Sequence, residues 1–203
     1  SPMLLYGTPS RPITDILPRL QATLGVVDSD MAVSYLMDAI VQFCRESRLI
    51  RRTECFPLEG CTFSYLLKQI GKDERLSEVV DLRLFDTDCT KNHRNLTYYV
   101  EGNTIHLEDL PVCHKGTIEV EYTVVPRRDS ELVYDVLYED WLEAIVHLAL
   151  SRLYRLTDME WVDFGIANVH QQEYEKILRA SRFHTITKHK GLHLRLRPKW
   201  GVK

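Results

Sequence analysis

Apolar side chains recur every three or four positions in several parts of the chain, and this spacing is typical of amphipathic helices. In residues 28–50, Asp28 and Ser29 are residues that commonly cap a helix. The apolar positions that follow them are Val33, Leu36, Met37, Ile40, Phe43 and Cys44. The same spacing predicts further helices over residues 14–23, 135–156 and 163–183.

Between the helices, from Arg51 to Pro126, the pattern changes to short runs of β-type residues separated by single glycines. The clearest hairpin spans residues 96–108, where Gly102 and Asn103 lie between two alternating runs. This region predicts an antiparallel sheet of about four to six strands.

Near the end of the chain, apolar residues alternate with basic residues or histidine, which is the period of an extended strand. The alternating residues are Leu192, His193, Leu194, Arg195, Leu196 and Arg197. We therefore expect an extended basic C-terminal arm over residues 184–203.

Taken together, these elements predict an α+β protein that is mainly helical. Residues 1–50 and 127–183 are expected to form a small α-helical bundle, because each helix has an apolar stripe that another element must cover. An antiparallel β-sheet domain is inserted at residues 51–126, and the extended arm follows the bundle.

Charge is distributed unevenly along the chain. From Lys176 onward there are 9 Lys and Arg residues and no Asp or Glu, so the preceding residues carry 17 basic groups against 29 acidic groups, a net charge of -12. No 18 apolar residues run together and no secretory signal is recognisable, so no contact with a membrane is expected. The five cysteines are odd in number and form no CxxC pair, which favours buried free thiols over disulfides or a zinc site.

Common catalytic patterns are missing from the sequence: it contains no Gly-rich phosphate loop, no GxSxG and no HExxH. His189 and His193 are four residues apart in a segment patterned as a strand, where they would lie about 13 Å apart and share no metal ion. We predict that the protein is not an enzyme and that it holds no metal and no cofactor.

Two further functions stay open from the residues alone. The basic arm suits a nucleic-acid-binding module, in which its Lys and Arg residues neutralise phosphates and Trp200 stacks on a base. A small enzyme would use the acidic residues that begin the helix at 135 together with His147, although acids in the first turns of a helix need no explanation beyond its dipole. Against the nucleic-acid reading, alternating leucines are better suited to a groove or sheet edge of another protein. A disordered tail is the third alternative for the arm.

Three stretches of the sequence resemble the head-tail adaptors of tailed bacteriophages, also called connector or head-completion proteins. The first helix carries Ala39, Ile40, Phe43, Cys44, Ser47 and Arg48, followed by Arg51. Val125 and Pro126 then lead into LYEDWLEAIVHLALSRLY. The third stretch contains Trp161, Asp163, Ala167, Tyr174, Ile177 and Ala180. The resemblance covers residues 15–182, although Leu148 stands where the family often has Gly, and it does not extend to the arm.

The resemblance implies a ring, commonly of twelve subunits, that lies beneath the portal protein at the head-tail junction of the virion after assembly in the host cytoplasm. Such a ring docks a tail or tail-completion protein and leaves a channel through which DNA passes without sequence-specific binding. In this setting we expect the arm to bind the portal. Its candidate contact residues are Leu192, Leu194, Arg195, Leu196, Arg197, Lys199 and Trp200. Asp135, Glu139 and Glu143 form an acidic stripe that is expected to face the channel and repel DNA.

Overall fold

The computed structural model describes residues 7–58, 62–86, 92–93, 96–108 and 116–190. Five α-helices lie in these ranges: α1 (Leu17–Leu24), α2 (Ser29–Ser47), α3 (Asp135–Glu139), α4 (Leu142–Leu153) and α5 (Phe164–Lys190). A short 3-10 helix, Ile13–Asp15, precedes α1. None of the described helices is both long and apolar enough to cross a membrane.

Helix α2 begins as its sequence predicts. The side chain of Asp28 accepts the backbone N–H of Met31 at 3.1 Å, so it satisfies one of the donors left free at a helix start. The helix ends at Arg48, which has a left-handed backbone conformation with φ of 51°. Five of the six predicted apolar positions are buried, and Val33 is half-buried.

The single helix predicted over residues 135–156 is two helices. The chain turns at Asp140 and Trp141, and Trp141 leaves the helical region with φ of -128° and ψ of 18°. Its ring packs against that of Phe43 in α2, with centroids 5.9 Å apart. The break leaves no trace in the sequence pattern, because apolar residues keep their three- and four-residue spacing across it.

Helix α5 begins where predicted but ends later. Asp163 Oδ1 accepts the N–H of Ile166 at 2.9 Å and caps the helix. Residues 184–190, predicted to belong to the extended arm, are helical, so that part of the prediction is wrong. The buried positions of α5 continue to Thr185, which is 3% exposed, and this contact holds the longer helix on the core. Residues 191–203 lie outside the described residues.

Every β-type run in the sequence contains a strand, and the described part of the chain has nine. They are β1 (Arg11–Pro12), β2 (Arg51–Leu58), β3 (Ser64–Leu66), β4 (Glu74–Asp86), β5 (Asn92–His93), β6 (Tyr98–Glu101), β7 (Thr104–Leu107), β8 (Gly116–Pro126) and β9 (Leu132–Val133). They form three antiparallel sheets, with the orders β1-β9, β2-β8-β4-β5 and β3-β7-β6. The predicted single sheet is therefore two sheets, and β6 and β7 form the predicted hairpin with Gly102 in its turn at φ of 58°.

Of the described residues, 43% are helical and 29% are in strands. The protein is a mixed α+β fold, and the prediction of a mainly helical bundle is wrong. The reason lies in β8, where Ile118, Val120, Tyr122 and Val124 are fully buried in one hydrophobic core shared with α2 and α4. The sheet thus supplies part of the core that the helices were expected to form alone. The division into domains at residues 50 and 127 stays a prediction.

The cysteines only partly follow their prediction. Cys44 is buried in α2, and burial raises the pKa of its thiol, whereas Cys55 is exposed on β2. Cys61, Cys89 and Cys113 lie outside the described residues.

Candidate interaction surfaces

The acidic stripe is divided between two helices and paired with arginines from the start of the chain. Arg11 Nε donates to Asp135 Oδ1 at 2.6 Å and its Nη2 donates to Glu139 Oε1 at 3.0 Å, while Arg19 pairs with Glu143. The hydrogen bond to Asp135 is the main cause that raises the pKa of Arg11. The three carboxylate side chains remain 55 to 57% exposed. The surface is therefore of mixed charge, and its orientation toward a channel stays a prediction.

A second charged group is fully buried. Arg52 on β2 binds Glu74 on β4 through two hydrogen bonds of 2.6 and 2.5 Å, and both side chains are 0% exposed. Tyr134 donates to Glu74 at 2.7 Å, and Gly7 accepts from Arg52 at 3.0 Å. Burial alone would lower the pKa of Arg52, but the bonds and charge of Glu74 outweigh it and raise the pKa. This network joins the start of the chain to the four-stranded sheet.

Glu54 extends the polar interior on the same strand. Its carboxylate accepts the hydroxyl of Tyr122 at 2.6 Å and the backbone N–H of Lys68 at 2.9 Å. Burial raises the pKa of Tyr122 and of Tyr134, so both hydroxyls remain protonated donors. The sequence did not reveal either carboxylate as buried, because Glu is rarely buried unless it is paired, and the partners come from other parts of the chain: Arg52 and Tyr134 for Glu74, and Tyr122 for Glu54.

Two histidines meet where α4 packs on α5. His147 Nδ1 and His170 Nδ1 are 2.8 Å apart, and the ring of Tyr154 stacks on His170 with centroids 5.6 Å apart. Burial, followed by the charge of His147, lowers the pKa of His170. Glu143 lies 4.0 Å from His147 Nε2, so the structure does bring His147 near one acid of the stripe. Among the described residues, no three His, Cys, Asp or Glu side chains are grouped to hold a metal ion.

A pocket of about 420 Å³ opens where the end of α2 meets β2, β4 and α5. We call it the arginine pocket, after four of its lining residues: Arg45, Arg48, Arg51 and Arg182. Glu46 and Glu78 also line it. Sequence reasoning missed this pocket because its arginines come from three elements, and only the fold brings them together.

Exposed apolar side chains lie near the start of α5. Phe164 is 56% exposed, Ile166 42% and Val169 57%, and Val162 precedes them at 37%. Ile166 and Val169 are three residues apart and therefore share one face of α5, and exposed apolar groups on one face suit contact with another protein.

The predicted portal-binding residues lie outside the described residues. They are Leu192, Leu194, Arg195, Leu196, Arg197, Lys199 and Trp200. The structure therefore leaves their role a prediction, as it does for His193.

Comparison with known proteins gives one match of sequence and several of structure. The family model described as SU10 adaptor protein matches residues 12–189. No curated protein matches the chain.

The structural matches come from the gene transfer agent (GTA) particle. A chain from the neck of the native particle, computed with C12 symmetry, is 16% identical with a TM-score of 0.32, over 83% of this chain and 94% of that one. A chain from the neck of the empty particle, computed with C6 symmetry, is 17% identical with a TM-score of 0.32, over 77% and 85%. Similarity at this level carries no argument about fold or function. The family match, in contrast, spans most of the chain and confirms the resemblance found in the sequence: the chain belongs to the SU10 adaptor protein family and is a structural head-tail adaptor of a bacteriophage.

Proposed function

We propose that this adaptor forms a ring, of twelve subunits, beneath the portal at the head-tail junction of the virion. The ring docks a tail or tail-completion protein and leaves a channel for DNA, and it assembles in the host cytoplasm. The protein acts by binding and has no enzymatic activity. The family match over residues 12–189 carries the proposal. The exposed apolar residues of α5 support it, because a protein that assembles with others needs such contact surfaces.

The C-terminal arm is proposed to bind the portal, but over a shorter segment than the sequence suggested. Since α5 continues to Lys190, the arm comprises residues 191–203. Its leucines would fill pockets of the portal, its arginines would pair with acids, and Trp200 would anchor it. Several arms that bind one portal ring together gain affinity through avidity.

Light scattering of the full chain and of a chain that ends at Lys190, each with and without portal, tests this role. We expect a complex of many subunits only with portal, and only when the arm is present. A second truncation after Phe183 also removes the buried Thr185, so its difference from the chain that ends at Lys190 measures the contribution of the end of α5. Normal portal binding by the chain that ends at Lys190 would refute the role of the arm. A chain that ignores the portal but is retained on DNA would support a nucleic-acid-binding module instead.

The acidic stripe is proposed to line the DNA channel. Asp135, Glu139 and Glu143 stay half-exposed despite their arginine partners, so they still present negative charge to a passing duplex. Replacing Glu139 and Glu143 by Lys in assembled particles is expected to slow DNA ejection. The charge-matched control replaces Asp158 and Glu160, which are exposed in the turn before α5. Equal ejection rates for the two double variants would show that the stripe does not line the channel.

A further inference from the structure

The arginine pocket has more positive than negative charge. Each of its lining carboxylates already has an arginine beside it: Glu78 accepts from Arg48 at 2.6 Å, and Glu46 lies 3.9 Å from Arg182. A third pair uses Arg51 and Glu121, at 2.7 Å. Three of the four arginines therefore have a carboxylate partner, and one positive charge in the pocket is left for a further negative group.

Arg45 is the arginine of the pocket that takes part in none of these three pairs. It lies exposed in the last turn of α2, and it has no ion-pair partner among the residues that the structure describes. Its charge is available to a group that enters the pocket.

The backbone conformation of Arg48 also supports a role for its side chain. This residue is the described chain's one non-glycine residue with a positive φ, and it occupies the helix end where glycine is the favoured residue. An L residue with a side chain is strained in this conformation. Such strain is common at sites where the side chain has a use, and here the side chain lines the pocket.

The ligand that fits is a carboxylate-bearing peptide. An arginine fork matches the planar geometry of a carboxylate and binds it through two hydrogen bonds. Duplex DNA fits less well, because Glu46 and Glu78 would repel a dense polyanion and because the pocket is concave instead of following a phosphate backbone. The carbonyl end of α2 adds further negative potential, which a phosphate tolerates less than a carboxylate of lower charge.

We propose that the arginine pocket binds an acidic segment of a neighbouring protein, with one carboxylate on Arg45 and a second on Arg48. The site lies on the described fold and does not require the C-terminal arm or a ring. It adds to the portal contact a second attachment point, which recognises Asp or Glu side chains.

Calorimetry with the full chain and a synthetic peptide of alternating Asp and Glu tests the proposal. Arg45→Ala and Arg48→Gly are expected to weaken binding about tenfold each, because each removes one charge-assisted contact. Both variants should fold, since alanine is the best helix former and glycine relieves the left-handed position. The matched control is Arg179→Ala, which removes an exposed arginine of the same helix as Arg182 but outside the pocket lining, and it should leave affinity within about twofold.

Three results would overturn the proposal. One is an equal loss with Arg179→Ala, which would show unspecific attraction to a basic region. The second is a loss only when Arg195 and Arg197 are replaced by Gln, which would assign binding to the arm. The third is that a short DNA duplex binds more tightly than the peptide and that the same pocket variants weaken the binding of the duplex. Failure of portal attachment would not affect this test, since no portal is present.

Discussion

At the scale of single residues, Arg52 and Glu74 form an ion pair in which both side chains are fully buried. An ion pair in the core is favourable only while both partners are present, because an unpaired buried charge is strongly penalised. The pair also holds Tyr134 and the backbone of Gly7, so it joins four separate parts of the chain: its start, β2, β4 and the segment before α3.

We expect Glu74→Ala to lower the free energy of unfolding by about 3–5 kcal/mol, because it leaves the Arg52 guanidinium buried without its partner. Urea denaturation measures this loss. Glu78→Ala is the control, since it breaks the half-exposed pair with Arg48 and should cost less than about 1 kcal/mol. Similar losses for the two variants would contradict the structural role of the buried pair.

The lowered pKa of His170 predicts that the free energy of unfolding depends on pH. Its pKa is lowered in the folded protein, so between that pKa and the unfolded value of about 6.5 the unfolded chain binds more protons. The contribution of the neutral His170 to the free energy of unfolding is therefore fully present above about pH 6.5, and it is lost as the pH falls from there through the lowered pKa. Tyr154 stacks on His170, while the carboxylates of Glu143 and Glu173 are near His147 and favour a positive charge there.

His170→Gln is expected to flatten the fall in the free energy of unfolding between about pH 7 and about pH 5. Denaturation at both pH values measures the difference. His106→Gln serves as the control, because His106 lies on the three-stranded sheet beside Ser64 and Tyr99. An unchanged pH dependence in His170→Gln would rule out the histidine pair as its source.

At the scale of elements, the sequence predicts that a helix or strand exists better than it predicts where that element ends. Strands β2, β4 and β8 follow from their β-type runs, and the start of α2 follows from Asp28. The break at Trp141 could not be predicted, because it depends on a ring contact with Phe43, which is distant in sequence. The division of the strands into three sheets was missed for a similar reason: alternation identifies a strand but not its partner.

Helix α2 gives the prediction at this scale. Asp28→Ala is expected to cost about 1 kcal/mol of the free energy of unfolding, because the N–H of Met31 loses its acceptor. Asp30→Ala, also exposed in the first turn, removes the same charge but no cap bond and should cost less. Thermal or urea unfolding compares the two variants, and equal costs would show that the charge matters and the cap bond does not.

At the scale of the whole molecule, β8 connects the parts. It pairs with β2 on one side and β4 on the other, and its inward face packs on α2. The residues of the acidic stripe were identified from sequence, but the arginines that pair with them were not, since Arg11 lies 124 residues from Asp135. The arginine pocket was missed altogether, because no local pattern links the end of α2 to the end of α5.

Hydrogen exchange should reflect this arrangement. The backbone amides of Val120, Tyr122 and Val124 are expected to exchange more slowly than those of β6, an edge strand whose residues are mostly exposed. Mass spectrometry or NMR measures both sets in one experiment. Equal exchange in β8 and β6 would mean that the inner strand of the four-stranded sheet is no more stable than the edge strand of the three-stranded sheet.

The two long ladders of β8 also have a mechanical consequence. The strand is in register with eight residues of β2 and eleven of β4, and all of these pairs run antiparallel. A force that pulls along β8 loads both sets of hydrogen bonds together in shear, whereas a force across β6 opens its four pairs one after another. The four-stranded sheet can therefore carry tension along its strands, while the hairpin of β6 and β7 yields first.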